Sequence, residues 1–255
     1  MCENRTLSAP VRRRLRRWFG RRTRGPFDIS HNRIRYRLYP AENHCDRILF
    51  GRGIMPEAKE HKAIQSFLRP EMVYVDIGAN IGSYTLFVAK HAGFTSRVIA
   101  IEPHPLTFQK LEFNLGINGF NWVTRVNCAC GPEESEMTLW SDGGGNVGHT
   151  SLLPAGTSNP KVGHQVKVLP LHQILASRAI TRIDLLKIDI EGFEDQALMP
   201  FFEVAEPTLR PRRILLEMAH ASLWQEPLSE RLAELGYVVV FETAENQLFE
   251  LPQTN

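Results

Sequence analysis

The sequence has few of the features that mark membrane, secreted or metal-stabilised proteins. Its 255 residues include four cysteines, at positions 2, 45, 128 and 130, which are too few and too irregularly spaced for a disulfide framework or a zinc site. The apolar run at 238–241 is far shorter than the roughly 20 residues that span a bilayer. The N-terminus has no apolar segment typical of a secretory signal. We therefore expect free thiols, no transmembrane segment and a cytoplasmic location, with peripheral membrane contact left open.

The charge of the chain is unevenly distributed. Hydrophobic residues make up 43% and charged residues 23% of the sequence, a balance typical of a folded globular protein. The net charge of +2 combines a segment of +8 at 1–25, with nine arginines and one acid, and a remainder of −6, with 21 basic and 27 acidic residues. An acidic body therefore follows a basic arm.

The arginine-rich arm at 1–25 has apolar residues at helical spacing. Val11, Leu15, Trp18 and Phe19 recur on one side of a helix, with arginines between them. Two interpretations remain open. In the first, the arm has no external partner and is a solvated tail or a helix docked on the acidic body. In the second, residues 11–24 form a basic amphipathic helix that contacts an anionic membrane or another polyanion.

The rest of the chain alternates between strand and helix patterns. Residues 26–70 form a lead-in with a predicted helix at about 57–68, and residues 71–255 form the main domain. A flap or insertion is predicted at about 131–170, where the alternation breaks. The predicted strands are 72–77, 97–101, 122–129, 185–190, 213–218, 237–242 and 247–251, and the predicted helices of the domain are 81–92, 105–117 and 224–235. This order predicts an α/β fold, with a mostly parallel sheet, helices on both faces and an antiparallel closing strand.

A glycine-containing turn follows the first buried strand and opens a helix. It contains Asp76, Gly78, Asn80 and Gly82, and Glu102 ends the next strand. Glycines let a ligand approach the backbone closely, and an acid at the end of the second strand can accept hydrogen bonds from ribose hydroxyls. The turn lacks the glycine spacing of a dinucleotide site and the lysine of a phosphate loop. Because Asp76 would repel phosphate, the pattern favours a nucleoside with an ammonium group, and S-adenosylmethionine is such a molecule.

Ionisable residues at the ends of the fourth and fifth strands indicate a reactive site. Lys187, Asp189 and Glu191 end the fourth strand and Glu217 ends the fifth, and such groups are costly in a buried strand unless they are paired or functional. Asp189 is the first candidate for a general base, Glu191 is the second, and Lys187 would orient either acid or lower the pKa of the alcohol by its charge. Asp189, Glu191 and Glu217 could instead hold Mg²⁺. A Lys187–carboxylate ion pair with a structural role is the alternative.

Three histidines and one serine are secondary candidates for the same chemistry. Histidine titrates near neutral pH, so His104, His149 or His220 could act as the base. Ser151 could contact the acceptor. Each of these four residues is equally consistent with an ordinary loop position.

Five blocks of the sequence resemble the FkbM-type methyltransferases, in the expected order and over about 57–251. The blocks are 73–86, 98–105, 127–131, 185–198 and 214–218. The resemblance implies a class I methyltransferase fold, which is Rossmann-like, with S-adenosylmethionine as the methyl donor. It also implies O-methylation, often of a hydroxyl on a sugar, glycolipid or natural product. The expected partner is therefore a small-molecule or glycosidic acceptor.

The resemblance also implies roles for the residues in the matching blocks. The turn would hold the methionine part of S-adenosylmethionine, Glu102 would take the ribose hydroxyls and Ala129 would lie against the adenine. The turn residues with this role are Asp76, Gly78, Asn80 and Gly82. Two other functions stay open from the sequence: a methyltransferase that the basic arm guides to RNA or protein, and a nucleoside-binding protein without catalysis.

Overall fold

The computed structural model describes Arg14 and residues 25–142, 146–152 and 161–252; at 141–142, 146–151 and 161 it describes the backbone alone. The predicted amphipathic helix at 11–24 therefore lies, apart from Arg14, outside the described residues. Among the described residues, no helix is both long enough and apolar enough to cross a bilayer.

Thirteen strands and seven α-helices make up the described chain. The strands are β1 (Phe27–His31), β2 (Ile34–Leu38), β3 (Val73–Ile77), β4 (Arg97–Ile101), β5 (Thr124–Val126), β6 (Ala129–Cys130), β7 (Ser135–Asp142), β8 (Asn146–Ser151), β9 (Lys161–Leu169), β10 (Leu185–Ile188), β11 (Arg213–Glu217), β12 (Val238–Glu242) and β13 (Asn246–Glu250). The helices are α1 (His44–Arg52), α2 (Ala58–Gln65), α3 (Ser83–Ala92), α4 (Pro105–Ile117), α5 (Leu171–Ala176), α6 (Glu194–Val204) and α7 (Leu228–Glu234).

A seven-stranded sheet forms the centre of the protein, in the order β12-β13-β11-β10-β3-β4-β5. The five strands from β11 to β5 pair in parallel, whereas β13 pairs antiparallel with both β11 and β12. Every residue of β3, β10 and β11 is buried, as expected for parallel strands covered by helices on both faces. The predicted fold class is confirmed, including the antiparallel closing strand.

Two hydrophobic cores cover the two faces of this sheet. Side chains that alternate along β3 contribute to opposite cores, since Val75 belongs to one and Tyr74 to the other. Helices α5, α6 and α7 pack in the core of Val75, and α1 to α4 pack in the core of Tyr74. Helices on both faces leave the strand ends as the open edges of the sheet.

A second sheet, in the order β6-β9-β7-β8, occupies the predicted flap at 131–170. It corrects one predicted element. The predicted strand at 122–129 is divided, because β5 ends at Val126 and Ala129 pairs with β9 instead. The side-chain amide of Asn127 donates to the carbonyl oxygens of Glu102 (2.8 Å) and Pro103 (3.0 Å), which fixes the point where the chain leaves the central sheet.

The other element boundaries differ from the predictions at strand and helix ends. Strand β10 ends at Ile188 rather than at 190, because Glu191 (φ 57°) and Gly192 (φ 94°) make a left-handed turn. Helix α7 begins at Leu228 instead of 224, after a short 3-10 helix at Ala221–Leu223. Helix α1 in the lead-in was not predicted. Pattern-based boundaries commonly shift by a few residues in this way.

Candidate functional site

A cavity of about 440 Å³ opens at the carboxyl ends of β3, β4, β10 and β11, the edge where open α/β sheets bind ligands. Its volume lies within the usual range for small-molecule sites. The lead-in closes one side of it, through residues such as Asn43 and Glu57, and the second sheet contributes Leu139. The site therefore combines segments that are far apart in the sequence.

The glycine turn forms the floor of the cavity. Gly78, Asn80 and Gly82 all have positive φ, at 76°, 51° and 98°, and Gly78 and Asn80 line the cavity. A Cβ atom on Gly78 would lie 1.9 Å from the carbonyl oxygen of Asp189. The turn thus passes so close to the end of β10 that only glycine fits there.

Glu102 faces the cavity from the end of β4, as predicted. Its side chain is buried, and its two carboxylate oxygens accept hydrogen bonds from the backbone N–H groups of Asn80 (2.9 Å) and His104 (2.9 Å). Burial raises the pKa of Glu102 to about 7, although both hydrogen bonds lower it. Each oxygen keeps a second lone pair, so the carboxylate can accept hydrogen bonds from a ribose diol.

Asp76 takes a different position from the one that its sequence motif suggests. It is fully buried and is not among the described residues that line the cavity. The hydroxyl of Thr85 donates to Asp76 Oδ2 (2.5 Å), and Lys187 Nζ lies 3.7 Å from Asp76 Oδ1. Asp76 is therefore placed as a buried counter-ion of Lys187 beneath the turn. Gly82 likewise supports the turn from outside the cavity lining.

Lys187 connects the turn to the end of β10. Its Nζ donates to the carbonyl oxygen of Gly78 (3.0 Å) and lies 3.3 Å from Asp189 Oδ2. Burial lowers the pKa of Lys187, but the carboxylates of Asp189 and Asp76 raise it by more, so the net shift is upward and the ammonium stays charged. The structural ion pair left open by the sequence is thus present, and Lys187 and Asp189 also line the cavity.

Glu57 is a cavity-lining acid that the sequence analysis did not identify. It lies at the N-terminus of α2, where Ser83 Oγ donates to its Oε2 (3.3 Å) and Cys45 Sγ to its Oε1 (3.4 Å). Burial raises the pKa of Glu57, although the charge of Lys187 lowers it. The only sequence signal was an acid at the start of a predicted helix, which is common and usually reflects capping.

Glu191, Glu217 and His220 form a cluster on the side of the cavity next to β11. His220 Nδ1 lies 3.0 Å from Glu217 Oε1 and 3.3 Å from Glu191 Oε2. Burial and the carboxylates of Asp189, Glu194 and Glu191 together raise the pKa of Glu217 to about 9, although the charge of Lys187 lowers it. At neutral pH Glu217 therefore holds a proton.

The structure places the predicted metal ligands and the secondary histidine and serine candidates as follows. Within 25–142, 146–152 and 161–252, no group of three or more His, Cys, Asp or Glu residues is arranged to hold a metal ion, and Asp189 pairs with Lys187 rather than with Glu217. His104 is buried at the start of α4, where its Nδ1 accepts the backbone N–H of Thr107 (3.3 Å). The side chains of His149 and Ser151 lie outside the described residues.

The opposite wall of the cavity is apolar. Ala129 lines it together with Cys128, Cys130 and Leu139, and all four are buried. Cys45, Cys128 and Cys130 are free thiols, as predicted for these three positions. A planar aromatic base can pack against such a wall, so Ala129 lies where an adenine-binding residue is expected.

The charges around the cavity are strongly unbalanced. Among the residues that the structure describes, seven carboxylic acids line it against one lysine, Lys187. The acids are Asp46, Glu57, Glu102, Asp189, Glu191, Glu217 and Glu245. Burial raises the pKa of several of them, for instance to about 7 for Asp46. The raised pKa values of Glu217, Glu102 and Asp46 reduce the negative charge below the seven-to-one ratio of residues. The remaining excess of carboxylates over the single lysine attracts a cationic ligand and repels phosphate.

Glu217→Gln is expected to stabilise the protein by an amount that grows with pH. The pKa of Glu217 rises from 4.5 to about 9 on folding, so its favourable contribution is complete below pH 4.5 and is lost as the pH rises through 9. Glutamine stays neutral, and the difference in free energy of unfolding should increase by up to about 4 kcal/mol between pH 5 and pH 8. Urea denaturation at the two pH values measures it; a difference independent of pH would contradict the assignment.

Comparison with known proteins identifies the family to which the chain belongs. The profile described as the methyltransferase FkbM domain matches residues 76–245. The 31-O-demethyl-FK506 methyltransferase FkbM of Streptomyces tacrolimicus is 29% identical over 171 residues, which are 56% of this chain and 64% of that protein. Methyltransferase 1 of Beauveria bassiana is 29% identical over 140 residues, 49% of this chain and 56% of that protein.

Two more matches are more distant or partial. The AMB antimetabolite synthetase AmbE of Pseudomonas aeruginosa is 26% identical over 184 residues, which are 59% of this chain and 8% of that protein. The chain thus spans less than two thirds of each of these three relatives. A crystal structure of the methyltransferase FkbM from Methylobacillus flagellatus has 18% identity and a TM-score of 0.48, over 71% of this chain and 44% of that one. Because the family profile covers 170 of the 255 residues, this chain belongs to the FkbM methyltransferase domain family.

Proposed function

We propose that the protein is an S-adenosylmethionine-dependent methyltransferase that methylates a hydroxyl group. The observation that carries this proposal is the acidic cavity at the carboxyl edge of the sheet, where seven carboxylic acids face one lysine. S-adenosylmethionine has a sulfonium and an ammonium group and no phosphate, so this field favours it over nicotinamide or adenine nucleotides. Membership of the FkbM domain family supports the same donor.

The residues around the cavity match the parts of this donor. Glu102 would accept the ribose hydroxyls, and Ala129 would pack against the adenine. Glu57 is the cavity acid available to the ammonium group, because Asp76 lies beneath the turn and Asp189 pairs with Lys187. Gly78 leaves its backbone open to close approach. When bound, S-adenosylmethionine supplies a methyl group on a positively charged sulfur.

Asp189 is the proposed acceptor of the proton from the hydroxyl group. Its side chain is 38% exposed and lines the cavity, and Lys187 fixes it through the 3.3 Å contact. The bound donor would supply the methyl group to the hydroxyl oxygen and keep the electron pair of the broken bond, and Asp189 would accept the proton that the hydroxyl group releases. Glu191, held by His220, is the second candidate for the same role.

The acidic lining also indicates the kind of acceptor. A polyanion such as RNA would be repelled, which favours a neutral hydroxyl on a sugar, glycolipid or natural product. The name of the Streptomyces relative refers to an O-demethyl substrate. This supports an acceptor that is methylated on an oxygen atom. Two alternative functions remain. One is a methyltransferase that residues 1–25 guide to RNA or protein, and the other is a nucleoside-binding protein without catalysis.

Calorimetric titration with S-adenosylmethionine tests the proposal directly. We expect saturable binding of this ligand and none of NAD⁺, because the cavity repels phosphate. Glu102→Ala should weaken binding by about 10- to 100-fold, since it removes hydrogen bonds to a charged group. Glu242→Ala, at an exposed position of β12, is the matched control and should bind normally. No heat with S-adenosylmethionine, or tighter binding of NAD⁺, would overturn the assignment.

A further inference from the structure

A second hollow, of about 480 Å³, lies at the opposite edge of the central sheet, where β3, β10 and β11 begin. Its lining is dominated by arginine. Four arginines and Thr208 line it, with Asp184 as the acid among the lining residues that the structure describes. The arginines are Arg69, Arg182, Arg210 and Arg212. The charge of this edge is therefore opposite to that of the cavity at the carboxyl edge.

The carboxylates near the hollow do not neutralise these arginines. Asp184 is shared, because Arg69 Nη2 lies 2.5 Å from its Oδ1 and Arg182 Nε lies 3.5 Å from its Oδ2. Asp184 also accepts the backbone N–H of Val73 (2.8 Å). Arg210 has no carboxylate within 4.0 Å among the residues that the structure describes. The lining thus carries four positive charges against one negative charge.

Glu250 is similarly shared on the neighbouring side. It forms an ion pair with Arg213 and lies 3.9 Å from Arg212 Nε. Burial lowers the pKa of Arg213, and the positive charges of Arg212 and Arg69 lower it further, although Glu250 raises it. The arginines at this edge therefore repel one another, and a bound anion would relieve that repulsion.

Two arginines of the hollow keep hydrogen-bonding capacity that the protein does not use. The Nε atoms of Arg210 and Arg212 are buried, and neither has a hydrogen-bond partner. Two prolines restrict the loop that carries them, at 207 and 211, and the hydroxyl of Tyr237 donates to the carbonyl oxygen of Pro211 (2.6 Å). Buried donors without a partner are costly, and a rigid loop holds these two in place.

We propose that this hollow binds the phosphate group of a small ligand, at a site separate from the methyltransferase cavity. Guanidinium groups present paired N–H donors that match phosphate oxygens, and the hydroxyl of Thr208 adds a further donor. A phosphate, which carries about two negative charges at neutral pH, matches the excess of arginine better than a single carboxylate does. The acidic cavity would repel the same group, so the two edges of the sheet select ligands of opposite charge.

Binding of inorganic pyrophosphate and inorganic phosphate tests this proposal without a methyl donor or an acceptor. Thermal unfolding and calorimetry should show saturable, stabilising binding to the full chain, in buffers matched for ionic strength with potassium chloride. Arg210→Gln/Arg212→Gln should reduce the affinity by at least about tenfold, because it removes charge-assisted hydrogen bonds. Arg35→Gln, an exposed arginine of β2, is the control and should bind like the unchanged chain.

A single variant keeps the test decisive if the double variant does not fold. Arg182 is 59% exposed, so Arg182→Gln should leave the fold intact and still reduce pyrophosphate affinity severalfold. Absence of saturable binding, or equal losses in Arg35→Gln and Arg210→Gln/Arg212→Gln, would overturn the proposal. So would binding confined to anionic lipid vesicles or single-stranded DNA, because that result would assign the surface to a macromolecular polyanion. This test does not depend on the methyltransferase cavity, because a chain that fails to bind S-adenosylmethionine can still bind pyrophosphate in the hollow.

Discussion

Gly78→Ala is expected to weaken S-adenosylmethionine binding by about 100-fold. The added Cβ would lie 1.9 Å from the carbonyl oxygen of Asp189, where contacts under 3.0 Å essentially never occur. Either the turn or residue 189 must therefore move by about 1 Å, and a misplacement of that size costs an enzyme about 100-fold in rate. We expect a loss of the same order in affinity, because both segments line the cavity. Calorimetric titration measures it.

Gly119→Ala is the matched control for this substitution. Gly119 follows α4 and has φ 73°, close to the 76° of Gly78, but a Cβ atom there meets nothing within 4 Å. Both variants carry the backbone strain of about 1–2 kcal/mol that an alanine pays in the left-handed region, whereas only Gly78→Ala carries the collision. Equal effects of the two variants on S-adenosylmethionine affinity would show that backbone strain, and not the contact with Asp189, explains the loss.

Lys187→Met is expected to lower the free energy of unfolding by about 3–5 kcal/mol. The substitution leaves Asp76 fully buried and without its counter-ion, and removing one partner of a buried ion pair carries a cost of this size. It also removes the hydrogen bond to the carbonyl oxygen of Gly78. Urea denaturation at pH 7 measures the change.

Two further variants separate the ion pair from other effects of Lys187→Met. Adding Asp76→Asn removes the stranded charge, so Lys187→Met/Asp76→Asn should recover most of the lost stability. Lys167→Met is the exposed control, because Lys167 lies 2.9 Å from Glu134 with both side chains more than half exposed. It should change stability by less than about 0.5 kcal/mol. A double variant no more stable than Lys187→Met would show that the buried charge is not the cause.

Much of the fold could be predicted because its signals are local. The strands at 73–77, 97–101 and 213–217 are short, mostly apolar and separated by helical patterns, and this order already indicates a parallel sheet. The positions of strand ends depend more on contacts between distant segments. The division of the strand at 122–129 depends on Asn127, whose amide bonds to carbonyl oxygens of another segment, and no periodicity reports such a contact.

The residues of the candidate site likewise include some that local signals predict and others that they do not. Glu102 was predictable, because an acid at the end of the second strand of such a sheet has one main orientation. The position of Asp76 was not predictable, since its motif does not reveal that Thr85 and Lys187 hold it beneath the turn. Glu57 and the contact of His220 with Glu217 had no distinctive signal, because each depends on packing between segments that are distant in the sequence.

The sequence alone determined the α/β architecture, the glycine turn and the acid that faces it. These follow from hydrophobic periodicity and from the conformational freedom of glycine, which act over a few residues. Only the tertiary structure decided which acids line the cavity, which one is a buried counter-ion, and that arginines gather at the opposite edge of the sheet. Charge effects depend on distance and burial in three dimensions, and the order of residues along the chain does not fix either one.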